Sequence, residues 1–172
     1  MFDDDGAADA DWNRTERNET PTERLDRNWS DLLQELRVVQ TGVQLLTGLL
    51  LTVPFQQRFS TLSDFQRTLY LVTVALSVTA TALLVAPVAA HRALFRLHAR
   101  RALVALGQRL AVAGLTMLAL AVTGVVLLIF DTVAGLSTGI VAAAVTLAVF
   151  VAFWGALPLR ERRRARRERE SR

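Results

Sequence analysis

Four long stretches of the chain contain no charged side chain, and they restrict the possible fold more than any other feature. They cover residues 38–55, 69–90, 110–130 and 133–159, with lengths of 18 to 27 residues. An α-helix that rises about 1.5 Å per residue needs about 20 residues to cross about 30 Å of hydrocarbon. The stretches therefore predict an all-α fold, an integral membrane bundle of four transmembrane helices.

A soluble bundle with long buried helices is the alternative, and the absence of polar stripes argues against it. A surface helix of a soluble protein presents a polar face to water. The third stretch, LAVAGLTMLALAVTGVVLLIF, offers only Thr116 and Thr123 for such a face. We therefore expect the stretches to lie in lipid.

The fourth stretch is longer than one span requires, and its first residues resemble a turn. Gly135, Ser137 and Gly139 follow Asp131 closely, so we predict a turn over 131–138. The four-helix transmembrane domain then covers 38–159. The predicted spans are about 38–55, 69–90, 110–130 and 137–159.

The distribution of arginine predicts the orientation. All 20 basic residues are Arg. The connection 91–109 holds five of them and the tail 160–172 holds eight, against two in 56–68 and none between the last two spans. Arg-rich flanks stay in the cytoplasm. We expect a multi-pass protein of the plasma membrane with both termini cytoplasmic and 160–172 as an Arg-rich cytoplasmic tail.

The segment before the first span divides into two parts. Residues 1–19 are acidic and poor in apolar side chains, which predicts a disordered tail. Thr20, Pro21 and Glu23 then form the pattern of a helix start, in which Thr20 and Glu23 make a capping box. Apolar residues recur at helical spacing after it, so 20–37 is predicted to be a cytoplasmic amphipathic helix.

The first span carries polar residues that need an explanation. Two interpretations remain open: hydrogen bonds that fix the packing against a neighbouring helix, which we favour, and a polar lining for an ion or solute path. Either way, we expect this face to be directed toward other helices. The residues concerned are Arg37, Gln40, Thr41, Gln44 and Thr52.

The connection after the second span carries arginines at a helical spacing. We expect Arg92, Arg96, Arg100 and Arg101 to contact anionic lipid headgroups as well as to set the topology. Docking against the acidic N-terminal helix is a further possibility. Binding of nucleic acid is not expected, because no recognition motif accompanies the charge.

Motifs for chemistry are missing from the sequence. There is no cysteine, no nucleophile elbow and no phosphate-binding glycine loop. His91 and His98 have no third ligand near them, and Asp131 is expected to end a helix in water. We therefore predict no catalytic residue, no cofactor and no metal, and we expect the chain not to be an enzyme.

Partners are expected within the bilayer. Besides lipid, a homo-oligomer or another membrane protein is a candidate partner. Small residues step by four along the last span and would allow close helix packing, which we expect within the chain, with a homodimer as the alternative. The residues are Ala144, Ala148, Ala152 and Ala156.

The stretch ETPTERLDRNWSDLLQELRVVQTGVQLLTGLLLTVPFQQRF resembles the opening signature of an uncharacterised family of small actinobacterial integral membrane proteins, defined as a domain of unknown function. APVAAHRALFR resembles the segment of that family after the second span, and the likeness covers about 19–135. It implies four spans and brings no activity, cofactor or binding residue. Some relatives carry an antiporter label, but no charged side chain lies inside the spans here.

Three functions are consistent with these observations. The first is a non-enzymatic membrane scaffold or accessory subunit that acts through lipid or protein contacts. The second is a small ion or solute transporter, including cation/proton antiport, that uses the polar face of the first span. A membrane enzyme is third, because no reactive group of residues is present.

Overall fold

The computed structural model describes residues 20–94, 100–157, 159–161 and 167. The predicted disordered tail at 1–19 lies outside the described residues, as does most of the tail predicted at 160–172.

The described chain is all-α, as predicted, and is dominated by four long helices. Helix α1 spans Pro21–Thr52, α2 spans Asp64–Leu94, α3 spans Arg100–Ala134 and α4 spans Leu136–Phe150. Two short 3₁₀ helices, Val53–Phe55 and Gln57–Thr61, connect α1 to α2, and a π-helical stretch, Val151–Ala156, continues α4.

Reciprocal side-chain caps define where the first two helices begin. At α1, the backbone N–H of Thr20 donates to Glu23 Oε2 at 2.8 Å, and the Glu23 N–H donates to Thr20 Oγ1 at 3.3 Å. This confirms the predicted capping box. Ser63 and Gln66 repeat the arrangement at α2, with bonds of 3.0 and 3.2 Å.

The predicted separate amphipathic helix over 20–37 is not separate, because α1 continues through it into the first span. No proline or glycine interrupts the backbone between 22 and 41, so nothing in the sequence stops the helix there. It ends at Thr52, two residues before Pro54, since a proline disfavours helical geometry in the residue preceding it. The 32 residues make α1 about 48 Å long.

The turn between the last two helices is shorter than predicted. Instead of covering 131–138, it consists of Gly135 alone, between the end of α3 and the start of α4. Gly135 has a φ of 89°, a left-handed conformation that glycine adopts without steric cost. A Cβ at Gly139 would stand 3.0 Å from the Leu127 carbonyl oxygen. Two helices can therefore meet closely behind a one-residue turn.

All four helices are long and apolar enough to cross a membrane. The candidate spans are Asp26–Phe55, Asp64–Ala90, Val104–Ala134 and Leu136–Glu161. They contain the predicted spans and extend beyond them at one or both ends. Large apolar side chains on them are exposed, for example Val38 at 76%. Such side chains are favourable in hydrocarbon and costly in water. The chain is therefore best described as a multi-pass membrane protein.

The contacts within the chain divide it into two compact units. The first comprises 1–44 and 81–114. Inside it, α3 approaches α1 and α2 at two glycines. A Cβ at Gly107 would lie 2.8 Å from Trp29 Cζ3, and one at Gly114 would lie 2.8 Å from Leu84 Cγ. Glycine at these positions lets large side chains pack directly on the backbone of α3.

The second unit comprises 45–80 and 115–172. Its core contains Leu50, Tyr70 and Leu128, with further half-buried apolar side chains around them. The ring of Tyr70 meets Phe59 edge to face at 5.3 Å between centroids. In the same unit, a Cβ at Gly124 would collide with the Thr73 hydroxyl.

Candidate functional site

Helix α1 has two opposite faces, and their positions decide where its polar residues lie. The buried residues Trp29, Leu36, Val43 and Leu50 recur every seven positions. Side chains seven apart lie on nearly the same side of an α-helix. This seam of large apolar side chains is the side of α1 that packs inside the chain.

Gln40 lies next to this seam and makes a tertiary hydrogen bond. Its Nε2 donates to the backbone carbonyl oxygen of Leu84 on α2 at 2.7 Å. Pro87 lies inside α2 and has no N–H, so the carbonyl of Leu83 lacks its helical donor. Gln40 donates to the next carbonyl along, that of Leu84. The packing interpretation therefore describes Gln40.

The rest of the predicted polar face is exposed on the single chain, so among the described residues it is not buried against other helices of the same molecule. Arg37, Thr41, Gln44 and Thr52 are all exposed. The Thr41 hydroxyl donates to the Arg37 carbonyl at 3.1 Å, and the Thr52 hydroxyl donates to the Leu49 carbonyl at 2.7 Å. The side with Trp29, Leu36, Val43 and Leu50 occupies the interior instead, where van der Waals packing against neighbouring helices is what stabilises helix contacts in lipid.

The two amides of the first span consequently have different environments. Gln40 is half-buried and bonded to α2, whereas Gln44 is exposed and makes no hydrogen bond within the described residues. They are four residues apart, yet a spacing of four rotates the helix by about 40°, enough at the edge of the buried face to separate them. Spacing alone does not reveal which amide lies inside.

The arginines of the second connection lie at helix ends. Arg92 is in the last turn of α2, Arg100 and Arg101 begin α3, and Arg96 lies outside the described residues. The predicted contacts with lipid headgroups stay a prediction.

A polar groove in the first unit is lined by residues of α1 and α3. It has a volume of about 220 Å³ and carries the carboxylates of Asp31 and Glu35, one turn apart on α1. Asn28, Leu32, Val104 and Gln108 complete its lining. The negative charge suits a basic segment. Docking of the Arg-rich connection at this groove nevertheless stays a prediction.

Sequence reasoning missed a line of hydroxyls on the buried face of α2. Thr73 and Ser77 are fully buried in the second unit. Ser77 Oγ and Thr47 Oγ1 are 2.6 Å apart, and Thr73 Oγ1 donates to the Leu69 carbonyl at 2.8 Å. The Tyr70 hydroxyl donates to the Leu50 carbonyl, also at 2.8 Å. Tyr70, Thr73 and Ser77 follow one another at steps of three and four residues, and this helical spacing could have placed their hydroxyls on one face of α2.

Asp131 also takes part in a hydrogen bond that the sequence analysis did not predict. Gln66 uses its Oε1 in the cap of α2 and its Nε2 to donate to Asp131 Oδ2 at 3.1 Å. Asp131 is half-buried in the last turn of α3, and its carbonyl accepts a hydrogen bond from the N–H of Gly135 at 3.0 Å. One glutamine thus links the start of α2 to the end of α3.

The ranges that the structure describes contain no group of three His, Cys, Asp or Glu side chains arranged to hold a metal ion.

Comparison with known proteins gives a family. The sequence model of a family described as "Family of unknown function (DUF6328)" matches residues 18–158. The match covers most of the chain, and it confirms the resemblance to a family of unknown function. No curated protein and no solved structure matches the chain.

Proposed function

Since the chain belongs to DUF6328, a family of unknown function, we propose a role from its own residues: a non-enzymatic multi-pass membrane protein that acts through contacts with lipid and with other membrane proteins, as a scaffold or accessory subunit. We also propose an actinobacterial source, which rests only on the resemblance of the segments at 19–59 and 86–96 described above.

One observation carries the proposal. Among the described residues, the fully buried polar side chains are Thr73 and Ser77, and both make hydrogen bonds. Proton and ion pathways through membranes generally use ionisable side chains that face a cavity or one another. Here Thr73 bonds to a carbonyl of its own helix and Ser77 pairs with Thr47 of α1, and small hydroxyls satisfied in this way support a packed interior, which serves to position surfaces.

The topology proposed for this role places both termini in the cytoplasm. It rests on the arginines at 91–109 and 160–172 and on their absence from the turn at Gly135. Because the chain has no cysteine, single-cysteine variants report topology without background. We expect Ser137→Cys to react with an impermeant maleimide in intact cells and Arg167→Cys to react only after lysis. Labelling of Arg167→Cys in intact cells would contradict this topology.

The lipid contacts are assigned to the Arg-rich connection. Each basic residue near an anionic surface contributes about 1 kcal/mol of attraction. The test is native mass spectrometry of the protein purified with its membrane lipids. Replacing Arg92, Arg96, Arg100 and Arg101 by Gln is expected to remove bound anionic lipid.

The matched control for the lipid test is the double variant Arg58→Gln/Arg67→Gln, which removes arginines from the first connection. It is expected to keep the bound lipid. Equal loss of lipid in both variants, or no loss in either, would overturn the assignment to 92–101.

Transport is the second candidate function, and the exposed amide of Gln44 is the observation that favours it. A flux assay distinguishes the scaffold role from transport: purified protein is placed in liposomes that contain pH- and cation-sensitive dyes. The scaffold proposal expects no flux above that of protein-free vesicles. Flux that Gln44→Leu abolishes while insertion is kept would replace that proposal by transport.

A further inference from the structure

The outward face of α1 carries one amide that has no partner in the described part of the chain. Gln44 is exposed and forms no hydrogen bond there. Its neighbours Leu45 and Leu49 are 65% and 68% exposed. A surface on which leucines are this exposed faces hydrocarbon when α1 crosses the bilayer.

The depth of Gln44 makes the missing partner costly. It lies about 10 Å along the helix axis from Arg37, the last charged residue before the first span. The uncharged run continues to Phe55. Lipid tails offer no hydrogen bonds, so a carboxamide at that depth is destabilising until another polar group meets it.

Of the residues next to Gln44 on this face, neither Thr41 nor Gly48 has a side-chain donor left for a partner helix, so Gln44 is the side-chain donor that such a helix would meet. The Thr41 hydroxyl is already bonded to the carbonyl of Arg37 in the same helix. Gly48 lies one turn further along α1, and a Cβ built there would meet nothing within 4 Å. The face is therefore shallow next to the amide, and another helix can approach the backbone closely.

We propose that a second copy of this chain packs on this face, so that the two α1 helices run parallel and in register about a two-fold axis. Each Gln44 amide then meets its counterpart. We name the surface formed by Thr41, Gln44 and Gly48 the α1 dimer face.

Three properties favour a second copy over a different protein. A carboxamide both donates and accepts, so two identical amides satisfy each other. Every copy inserts with the same orientation, and a two-fold axis along the membrane normal then sets equal residues opposite each other. On a surface where two helices pair, a single polar position can specify register and a dimer, and Gln44 is such a position between Thr41 and Gly48.

Such a dimer has two Arg37 side chains of like charge, and the crossing of the helices can keep them apart. Helices that approach closely at a small residue cross at about 40° and separate away from the contact. Contact at Gln44 and Gly48 therefore moves the two guanidinium groups apart, toward the hydrated headgroups. This inference goes beyond the proposed scaffold role, and the flux result does not decide it.

The test is the dissociation constant of the dimer in bilayers. Donor- and acceptor-labelled full-length protein is reconstituted over a wide range of protein-to-lipid ratios, and energy transfer is measured. We expect a saturable dimer for the natural chain. Gln44→Leu is expected to raise the dissociation constant about 3- to 20-fold, which is the range for one interhelical hydrogen bond in a membrane.

Gln40→Leu is the matched control, because it removes the same amide from the same helix one turn away. Gln40 is bonded to Leu84 inside the chain and lies off the α1 dimer face. We expect its loss to lower the thermal stability and to leave the dissociation constant unchanged. Gln44→Leu should show the opposite pattern, which separates a dimer defect from misfolding.

A second measurement locates the contact directly. With no natural cysteine present, a Gly48→Cys variant in membranes is expected to form a disulfide-linked dimer on mild oxidation. Val141→Cys, at a position 62% exposed on α4, is the control for random collision and is expected to remain unlinked.

The proposal is overturned by any of three results. The chain is monomeric at every protein-to-lipid ratio, or Gln44→Leu leaves the dissociation constant unchanged, or Gly48→Cys and Val141→Cys cross-link equally. A monomer in pure lipid that associates only when a different membrane protein is added also counts against the second copy as the occupant.

Discussion

Gln40 on α1 donates a hydrogen bond from Nε2 to the Leu84 carbonyl oxygen of α2 at 2.7 Å, one turn before Pro87. This contact ties an amide in the first span to the carbonyl next to that of Leu83, which lacks its helical donor because Pro87 has no N–H. It explains why a hydrophobic helix retains a glutamine. It also shows that one polar residue near the edge of a buried face can serve packing.

The first prediction concerns this bond. Gln40→Leu removes the donor and is expected to lower the free energy of unfolding by about 0.6 kcal/mol, and by up to about 1.7 kcal/mol. Thermal unfolding in dilute detergent measures the effect. Gln44→Leu is the control there, because an exposed side chain without a bond should change stability by less than about 0.5 kcal/mol. Equal destabilisation by both variants would refute the role of Gln40.

The second prediction concerns the contact between α3 and α2 in the first unit. Gly114→Ala places a Cβ 2.8 Å from Leu84 Cγ and is expected to destabilise the chain. The cost of such overpacking is typically about 1–3 kcal/mol. Unfolding by denaturant in detergent measures it.

Gly42→Ala is the matched control for that substitution. A Cβ at Gly42 would meet nothing within 4 Å, and the residue is exposed on α1. Alanine is the better helix former by about 0.5–1 kcal/mol. We therefore expect this variant to be neutral or more stable, and a loss of stability equal to that of Gly114→Ala would show that packing is not the cause.

The third prediction concerns the hydroxyl pair in the second unit. Thr47 Oγ1 and Ser77 Oγ lie 2.6 Å apart, with Ser77 fully buried. A double-mutant cycle of Thr47→Val and Ser77→Ala is expected to give a coupling energy of about 0.6 kcal/mol, the average for hydrogen bonds between membrane helices. Coupling indistinguishable from zero would mean that the two hydroxyls act independently.

The fourth prediction concerns Gln66, which caps α2 and also bonds to Asp131. Gln66→Glu keeps an acceptor for the Ser63 N–H but replaces the Nε2 donor by a second negative charge beside the Asp131 carboxylate. The lost bond and the repulsion together are expected to cost about 1–2 kcal/mol of unfolding free energy, measured by thermal unfolding in detergent.

A compensating substitution tests the cause of that loss. In Gln66→Glu/Asp131→Asn the donor and acceptor exchange places, because the amide introduced at position 131 can donate to the carboxylate introduced at position 66. The double variant is expected to recover most of the lost unfolding free energy, as measured by thermal unfolding. If the double variant is less stable than Gln66→Glu alone, the contact between the two side chains does not account for the effect.

Much of the fold was predictable because a membrane imposes a simple rule. Uncharged runs of 18 to 27 residues are the right length for spans, and backbone groups in lipid require helices. The start of α1 was predictable as well, since the capping bonds of Thr20 and Glu23 join residues three apart. Local interactions of this kind are fully contained in a short sequence.

The missed features share a different cause. The continuity of α1 through 37–38 was obscured because a change from charged to apolar composition does not by itself interrupt a helix. The one-residue turn at Gly135 depends on close packing of Gly139 beside Leu127, which the spacing of small residues does not reveal.

The sequence by itself determined the number of long apolar helices, the cap of the first one and the polar residues that α1 carries. Only the tertiary structure decided which of those residues lie inside. Trp29, Leu36, Val43 and Leu50 occupy the interior, where they pack against the facing helices, so Gln40 is within reach of Leu84 and Gln44 faces out. Helical periodicity groups side chains into faces, but the partner helices select the face that is buried.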